Sequence, residues 1–220
     1  MNQNTENTSE AENLVRNLFP SLSLAESEQE IPDPLVNSNP ERIDRLINQC
    51  GLPSRHSKSF PREGKEWLAT ETRLKAKIGS GFIIALCGGR GVGKTQLAES
   101  LARESASQNR SSRYITAMEF FLEIKASFRP DSTVTEKQVI EEFIRPKLLI
   151  IDETQERGET KWEDGLLTHL IDRRYRQERD TLLISNQTKE AFAESIGPSI
   201  ASRIIETGGI VLCNWPSFRK

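Results

Sequence analysis

The sequence has few of the residues that build disulfide frameworks and metal centres. Its 220 residues include three cysteines and two histidines. Cys50, Cys87 and Cys213 are far apart and odd in number, and His56 and His169 lie near neither a cysteine nor each other. Such a set is typical of reduced thiols in a cytoplasmic protein. The sequence therefore supports neither a disulfide nor a histidine or cysteine metal centre.

Long apolar runs are also missing. No stretch of about 18 consecutive apolar residues is present, although a membrane-spanning helix requires one. Residues 1–12 are polar and acidic, without a basic start, an apolar centre or an arginine-rich amphipathic pattern, so we expect no targeting peptide. These absences predict a cytoplasmic protein without a membrane partner.

Charge is distributed unevenly along the chain, whose net charge is −2. Residues 1–40 contain seven acidic residues and one basic residue, a net charge of −6, and the remainder therefore carries +4. Because residues 1–40 are also rich in Asn, Ser, Glu and Pro, we expect a disordered acidic tail. The mildly basic remainder is compatible with nucleic-acid binding and equally with an ordinary solvated surface.

One apolar group interrupts the tail. Leu14, Val15, Leu18 and Phe19 have helical spacing and are followed by Pro20. This spacing predicts either a short helix that folds on a partner or a transient helix with no role, and it favours neither.

Beyond residue 40, two helices precede a regular alternation of strands and helices. The helices are predicted at 41–50 and about 63–78, with a basic segment between them. Strands are predicted at 82–87, 113–117, 147–152, 181–186 and 209–214, and helices at about 94–108, 117–127, 135–145, 161–178 and 188–206. Strands that are apolar throughout, such as 148–151, are typical of parallel sheets covered by helices on both faces. We therefore predict an α/β fold, with a helical and basic linker at 41–78 followed by a domain of alternating strands and helices at 79–220.

A glycine-rich loop follows the first predicted strand. Gly88, Gly93, Lys94 and Thr95 fit G-x-x-x-x-G-K-[ST], in which backbone N–H groups and a helix N-terminus surround phosphate oxygens. Lys94 is predicted to reach the β- and γ-phosphates, and the Thr95 hydroxyl to ligate Mg²⁺. The predicted nucleotide-binding residues are Gly88, Gly89, Arg90, Gly91, Val92, Gly93, Lys94, Thr95 and Gln96.

Polar side chains end two other predicted strands. Asp152 and Glu153 follow an apolar run, where ligands bind in parallel sheets. Asp152 is predicted to hold Mg²⁺, directly or through water, and Glu153 to polarise the attacking water. Asn186 either reaches the γ-phosphate or the attacking water, or caps the helix that starts near Thr188, and its spacing favours neither.

Residues 88–95, 148–153 and 185–186 resemble the Walker A, Walker B and sensor 1 elements of AAA+ ATPases. Within that class the chain is similar to the DnaC-type helicase loaders and the IstB-type transposition ATPases, through segments 50–56, 170–175, 195–204 and 211–219. The likeness covers about residues 48–220. It implies a P-loop three-layer sandwich with a five-stranded parallel sheet, no C-terminal helical lid domain, and a disordered or helical N-terminal extension. It also makes ATP and Mg²⁺ the expected cofactors.

The resemblance also assigns arginines. Arg203 matches the arginine finger, which would complete a neighbouring subunit's site, whereas its helical pattern alone predicts a surface arginine. The family often has an additional arginine early in the segment that carries the finger, where this sequence has Pro198 and Ser199. Arg174 falls within the apolar arc of its helix, so we predict that it serves a subunit interface or the nucleotide. Whether Arg173 or Arg219 acts in the nucleotide site stays open.

The resemblance implies a helicase loader for DNA replication. ATP hydrolysis would be weak alone and completed by a neighbouring subunit, in an open ring or a helical filament. Single-stranded DNA and a hexameric replicative helicase are the expected partners. The alternatives are an IstB-type ATPase acting on duplex DNA with a transposase, and an adaptor that binds nucleotide without turnover. A DNA-facing helix is predicted at Phe120, Phe121, Lys125, Phe128 and Arg129, although core packing explains these phenylalanines equally well.

Overall fold

The structure is a computed structural model that describes residues 39–53, 64–158 and 160–219. Helices in these ranges are α1 (Pro40–Gln49), α2 (Lys65–Lys75), α3 (Lys94–Ser107), α4 (Ala117–Ala126), α5 (Glu136–Ile144), α6 (Lys161–Arg176), α7 (Lys189–Ile196) and α8 (Pro198–Thr207). Strands are β1 (Ile83–Cys87), β2 (Ser112–Thr116), β3 (Leu148–Asp152), β4 (Asp180–Ser185) and β5 (Gly209–Leu212). A 3₁₀ turn covers Thr154–Glu156.

The strands form one five-stranded sheet in the order β2-β3-β4-β1-β5, with every pair parallel. All carboxyl ends therefore lie at one edge of the sheet. The connection from β1 leads to β2 at the far end, while β4 and β5 return to either side of β1. Ligands of open parallel sheets bind outside the carboxyl ends at such a reversal of strand order.

Both faces of the sheet are buried. Ile83 and Ala85 pack on one face against α4 to α8, and Ile84 and Leu86 pack on the other against α1 to α3. Burial on both faces is the reason that these strands have uninterrupted apolar sequences. Trp67 of α2 also belongs to the second core cluster.

Helix starts follow local chemistry. Three helices begin with a threonine whose hydroxyl accepts a backbone N–H, while a side chain three residues later accepts the threonine's own N–H. These capping boxes are Thr116 with Glu119, Thr135 with Gln138, and Thr160 with Glu163. The cap residues fix where α4, α5 and α6 begin.

The α/β fold and the parallel five-stranded sheet are confirmed. The prediction of one helix at 188–206 is wrong, because Gly197 has a φ of 82° and Pro198 starts a second helix. Residues 1–38 of the tail predicted at 1–40, including the predicted short helix at 14–19, lie outside the described residues, as do residues 54–63 with most of the basic segment. Within the described part of the chain, no helix has both the length and the apolar character needed to cross a membrane. The three cysteines are buried and free.

Candidate nucleotide-binding site

The glycine-rich loop connects β1 to α3, and three of its glycines, Gly88, Gly91 and Gly93, have a positive φ that other residues rarely adopt. Gly93 caps α3 with a φ of 81°. Gly88 has a φ of 149°, and a Cβ there would lie 2.5 Å from the carbonyl oxygen of Cys213. Glycine is therefore required at both ends of the loop. The loop delivers the N-terminus of α3, with its unpaired N–H groups, to the carboxyl edge of the sheet.

Donors from outside the motif fix the loop carbonyls. The Trp215 indole donates to the Val92 carbonyl at 2.7 Å, and the Phe218 amide donates to the Gly91 carbonyl at 2.9 Å. The Trp67 indole lies 3.4 Å from the Gly93 carbonyl, a longer bond. Sequence reasoning missed these positioning residues. Trp215 and Phe218 lie in segment 211–219, which resembles the family, but that resemblance gave no role for Trp215.

Lys94 extends back across the loop. Its ammonium donates to the carbonyls of Gly88 and Gly89, both at 2.7 Å, and to Oδ1 of Asn186 at 2.8 Å. Burial lowers the Lys94 pKa, and the Cys213 thiol and Asp152 carboxylate oppose this shift. A buried ammonium surrounded by neutral oxygens is suited to bind an anion such as phosphate.

Asn186 belongs to this site, as its contact with Lys94 shows. The alternative that Asn186 caps the following helix is wrong. Thr188 is the cap of α7, because its hydroxyl accepts the Ala191 amide at 3.3 Å. The backbone N–H of Asn186 donates to Oε1 of Gln155 at 3.1 Å, which links Asn186 to the turn after β3.

Thr95 and Asp152 are also brought together. The Thr95 hydroxyl donates to Oδ2 of Asp152 at 3.0 Å, and the Tyr114 hydroxyl donates to the same oxygen at 2.9 Å. Burial, followed by the nearby Asp152 carboxylate, raises the Tyr114 pKa. A hydroxyl and a carboxylate are hard oxygen ligands, so Thr95 and Asp152 fit Mg²⁺. Sequence reasoning missed Tyr114, whose position on β2 beside β3 depends on the strand order.

Glu153 follows β3 in a left-handed conformation, with φ of 54° and ψ of 44°. Such a backbone is unusual for glutamate and is found often at functional sites. The side chain is exposed at the carboxyl edge of the sheet. Partial desolvation raises its pKa first, and the Asp152 and Glu156 carboxylates add to this rise. Arg90, at the tip of the loop, pairs with Glu156 at 3.7 Å.

Gln96 is buried on the first turn of α3, beside the other loop residues. Arg219 lies along the loop as well, because a Cβ on Gly91 would be 3.1 Å from Cγ of Arg219.

Arg203 contacts a different part of the molecule. Among the described residues, its hydrogen-bond and ion-pair partners are Asp172 of α6 and Ser199 of α8. The side chain is 23% exposed. This chain's own loop residues are not among those partners, so Arg203 does not join Lys94 within one subunit.

The prediction that Arg174 serves a subunit interface or the nucleotide is wrong. Arg174 is fully buried, and its guanidinium donates to five oxygens at or after the end of α5 and at the start of β4. These acceptors are the carbonyls of Phe143, Ile144, Pro146 and Asp180 and the hydroxyl of Thr181. Burial lowers the Arg174 pKa to about 9. Arg173 instead forms a half-exposed ion pair with Glu141.

The predicted DNA-facing helix needs a similar correction. Phe120 and Phe121 are only 1% and 3% exposed, because they pack in the core with Phe143. Phe128 is 53% exposed, and its ring centroid lies 6.0 Å from that of Trp162. The Lys125 ammonium lies 5.3 Å from the centroid of the same indole.

Known proteins resemble both the sequence and the fold. The profile of the family described as IstB-like ATP binding protein matches residues 77–219. The replicative helicase loader DnaC of Escherichia coli K12 is 29% identical over 188 residues, which cover 81% of this chain and 76% of that protein.

Two solved structures show the same fold. A crystal structure of the DnaC helicase loader has a TM-score of 0.60 at 15% identity and covers 76% of this chain and 98% of its own. The replication initiator DnaA bound to AMPPCP and single-stranded DNA has a TM-score of 0.57 at 18% identity, covering 80% of this chain and 50% of its own. Since the family profile matches well over half of the sequence, this chain belongs to the IstB-like ATP-binding family of AAA+ proteins.

Proposed function

We propose that this protein is an ATP-dependent loader of a ring-shaped replicative helicase and that neighbouring subunits complete its ATPase sites. The observation that carries the ATPase part is the meeting of Lys94, Thr95, Asp152 and Asn186 at the carboxyl edge of the sheet. The sequence relationship to a replicative helicase loader supports the partner.

Each residue has a defined task in this proposal. The loop N–H groups and Lys94 bind the β- and γ-phosphates, and Asn186 orients the γ-phosphate or the attacking water. Thr95 and Asp152 would hold Mg²⁺, which supplies charge neutralisation between the phosphates when bound. The Lys94 ammonium donates to the carbonyl oxygens of Gly88 and Gly89. Phosphate oxygens would replace them.

Glu153 is the proposed general base that orients the attacking water. Positioned general bases contribute about 10²–10⁴-fold to a rate. Glu153→Gln should therefore retain ATP binding, measured by a fluorescent analogue, and lose turnover by about that factor. Turnover within twofold of the wild-type rate would remove Glu153 from this role.

Arg203 is the proposed residue supplied to a neighbouring site. Its guanidinium would neutralise charge on the γ-phosphate of the adjacent subunit, a contribution worth about 10³–10⁵ in related phosphoryl-transfer enzymes. This role requires self-association into an open ring or helical filament, which sedimentation with ATP would detect. Arg203→Ala should lower turnover of the assembly without weakening ATP binding.

Single-stranded DNA is the proposed nucleic-acid ligand. An exposed aromatic ring beside basic side chains is the arrangement that binds unpaired bases, and Phe128, Trp162, Lys125 and the exposed Arg129 provide it. Stacking on one aromatic contributes about 1–3 kcal/mol per base, so Phe128→Ala should weaken oligothymidine binding by about 5- to 100-fold. Phe121→Ala would instead destabilise the core and is the wrong probe.

An IstB-type role on duplex DNA is the second candidate, because the matching family profile carries that name. Co-purification with the host's replicative helicase separates the two. A loader should retain the helicase, and an IstB-type protein should instead bind duplex DNA tightly. Helicase capture should be compared with and without residues 1–38, since Ile47 of α1 packs in the core and a longer deletion would damage the fold. ATP binding without hydrolysis in the DNA-bound assembly would favour the adaptor alternative.

A further inference from the structure

We propose that Asp172 is a positioning residue that holds Arg203 in the orientation needed to complete a neighbouring subunit's ATPase site. This inference rests on the proposed role of Arg203 in a neighbouring site. Asp172 lies on α6, whereas Arg203 lies on α8, so the pair joins two helices.

The carboxylate of Asp172 bridges two arginines. Its Oδ1 accepts Nη2 of Arg203 at 2.5 Å, and its Oδ2 pairs with Nη2 of Arg176 at 2.7 Å. The side chains of Asp172 and Arg203 are 19% and 23% exposed, whereas that of Arg176 is 71% exposed. The Asp172–Arg203 pair is therefore shielded from solvent on most sides and can fix a geometry, which exposed pairs do poorly.

Two further contacts hold the guanidinium of Arg203. Nη1 donates to the carbonyl of Ser199 at 2.8 Å and to its hydroxyl at 2.6 Å. The guanidinium carbon lies 5.5 Å from the ring centroid of Tyr175, whose hydroxyl donates to Glu206 at 2.8 Å. The side chain is thus restrained along both edges and on one face. Ser199 thus accepts both N–H groups of Nη1.

The restrained guanidinium of Arg203 keeps an N–H group that could donate a hydrogen bond to a phosphate. Arginine has five N–H groups, and these contacts use both on Nη1 and one on Nη2. The second N–H of Nη2 is therefore the donor left to reach a phosphate, whereas Nε, which has no hydrogen-bond partner among the described residues, is buried. The cluster also stays cationic, because two guanidinium charges and one carboxylate leave a net charge of +1. An arginine already fixed in one rotamer loses less conformational freedom on reaching a phosphate than a free one does.

Mixed assemblies test the proposal with the full-length chain. Lys94→Ala subunits lack a working phosphate loop but keep Arg203, so they serve as the donor subunits that supply Arg203 to a neighbour. Arg203→Ala subunits keep the loop but lack the guanidinium, so they serve as acceptors. Mixing donors with acceptors should restore ATPase activity at the interfaces where a donor Arg203 meets an acceptor loop. Asp172→Asn is then introduced into one partner at a time.

The expected result is asymmetric. Asp172→Asn in the donor should lower the restored kcat by about three- to tenfold and leave the KM for ATP within about twofold. The same change in the acceptor should leave the restored rate unaltered, because that subunit has no Arg203 to position. A folding defect would lower the rate from either partner, so the asymmetry distinguishes positioning from general damage.

A matched control uses a second ion pair that ties α6 to another helix. Glu141→Gln in the donor breaks the ion pair with Arg173, which also joins α6 to another element but does not contact Arg203. It should leave the restored rate unaltered. An equal or faster rate with the Asp172→Asn donor would overturn the proposal, the faster rate showing that Asp172 restrains Arg203 from acting. No restored activity with unmodified donors would instead contradict the proposed role of Arg203, and the role of Asp172 with it.

Discussion

Replacing Arg174 with methionine should destabilise the fold by several kcal/mol, because this arginine connects its own helix, α6, to the end of α5 and to β4. It donates to carbonyls at the end of α5, to the start of β4 and to Thr181. Methionine keeps part of the apolar stem and removes every donor. The α5 carbonyls have no partner in their own helix, so Arg174 takes the place of a C-terminal cap.

The magnitude follows from the five lost acceptor contacts. Each oxygen left without a donor in a buried site costs about 1 kcal/mol or more, which gives a gross loss of about 5 kcal/mol. Removing a charge from a fully buried position returns part of this energy, as the lowered Arg174 pKa indicates. We expect a net loss of about 3–4 kcal/mol.

Urea unfolding followed by far-UV circular dichroism would measure this loss as a lower midpoint at an unchanged slope. Arg173→Met is the matched control, since its side chain is on the same helix and in a half-exposed ion pair with Glu141. Its loss should stay below about 1 kcal/mol. If Arg174→Met were as stable as the wild type and had lost ATPase or assembly, the structural reasoning would be refuted and an interface role restored.

Three further predictions concern the nucleotide site. Trp215→Phe removes the indole donor to the Val92 carbonyl but keeps an aromatic ring, so affinity for a fluorescent ATP analogue should fall by about 2- to 10-fold with little change in melting temperature. Tyr114→Phe removes the hydroxyl that donates to Oδ2 of Asp152, so the orientation of this carboxylate is less restrained. The Mg²⁺ concentration for half-maximal ATPase activity, measured by magnesium titration, should therefore rise several-fold. Glu153 must be ionised to act as a base, and its pKa is raised, so kcat should fall with decreasing pH from above the ordinary glutamate value of about 4.3. A pH profile without that acidic limb would contradict the Glu153 assignment.

The parts of the fold that sequence could predict depend on local chemistry. The strand at 148–152 is apolar because both of its faces are covered, and the loop at 88–95 needs glycine where φ is positive. These properties are read directly from residue type and spacing. The carboxyl-edge position of Asp152 follows from the parallel sheet, so the contact between Thr95 and Asp152 could also be predicted from the sequence.

Other residues are placed by contacts between segments distant in the sequence. Tyr114 reaches Asp152 only because β2 lies beside β3, and Trp215 reaches the loop only because β5 lies beside β1. Residue type carries no sign of these positions. The division at Gly197 was visible as a glycine followed by proline, but the continuing apolar pattern obscured it.

Arg174 and Arg203 show why helical pattern alone is insufficient to assign a role to an arginine. Both lie on amphipathic helices, and the pattern predicted that Arg174 serves a subunit interface or the nucleotide because a buried cation needs a partner. The ends of helices and strands supply such partners without a carboxylate or phosphate, because carbonyl groups at these ends lack an N–H donor within their own element. Arg174 is completely buried and donates to such carbonyl groups. The Arg203 side chain is 23% exposed and keeps an N–H group that could still donate. A guanidinium can act on a neighbouring subunit only if it is partly exposed and keeps an N–H to donate, and in Arg203 the contacts with Asp172 and Ser199 determine which N–H groups remain.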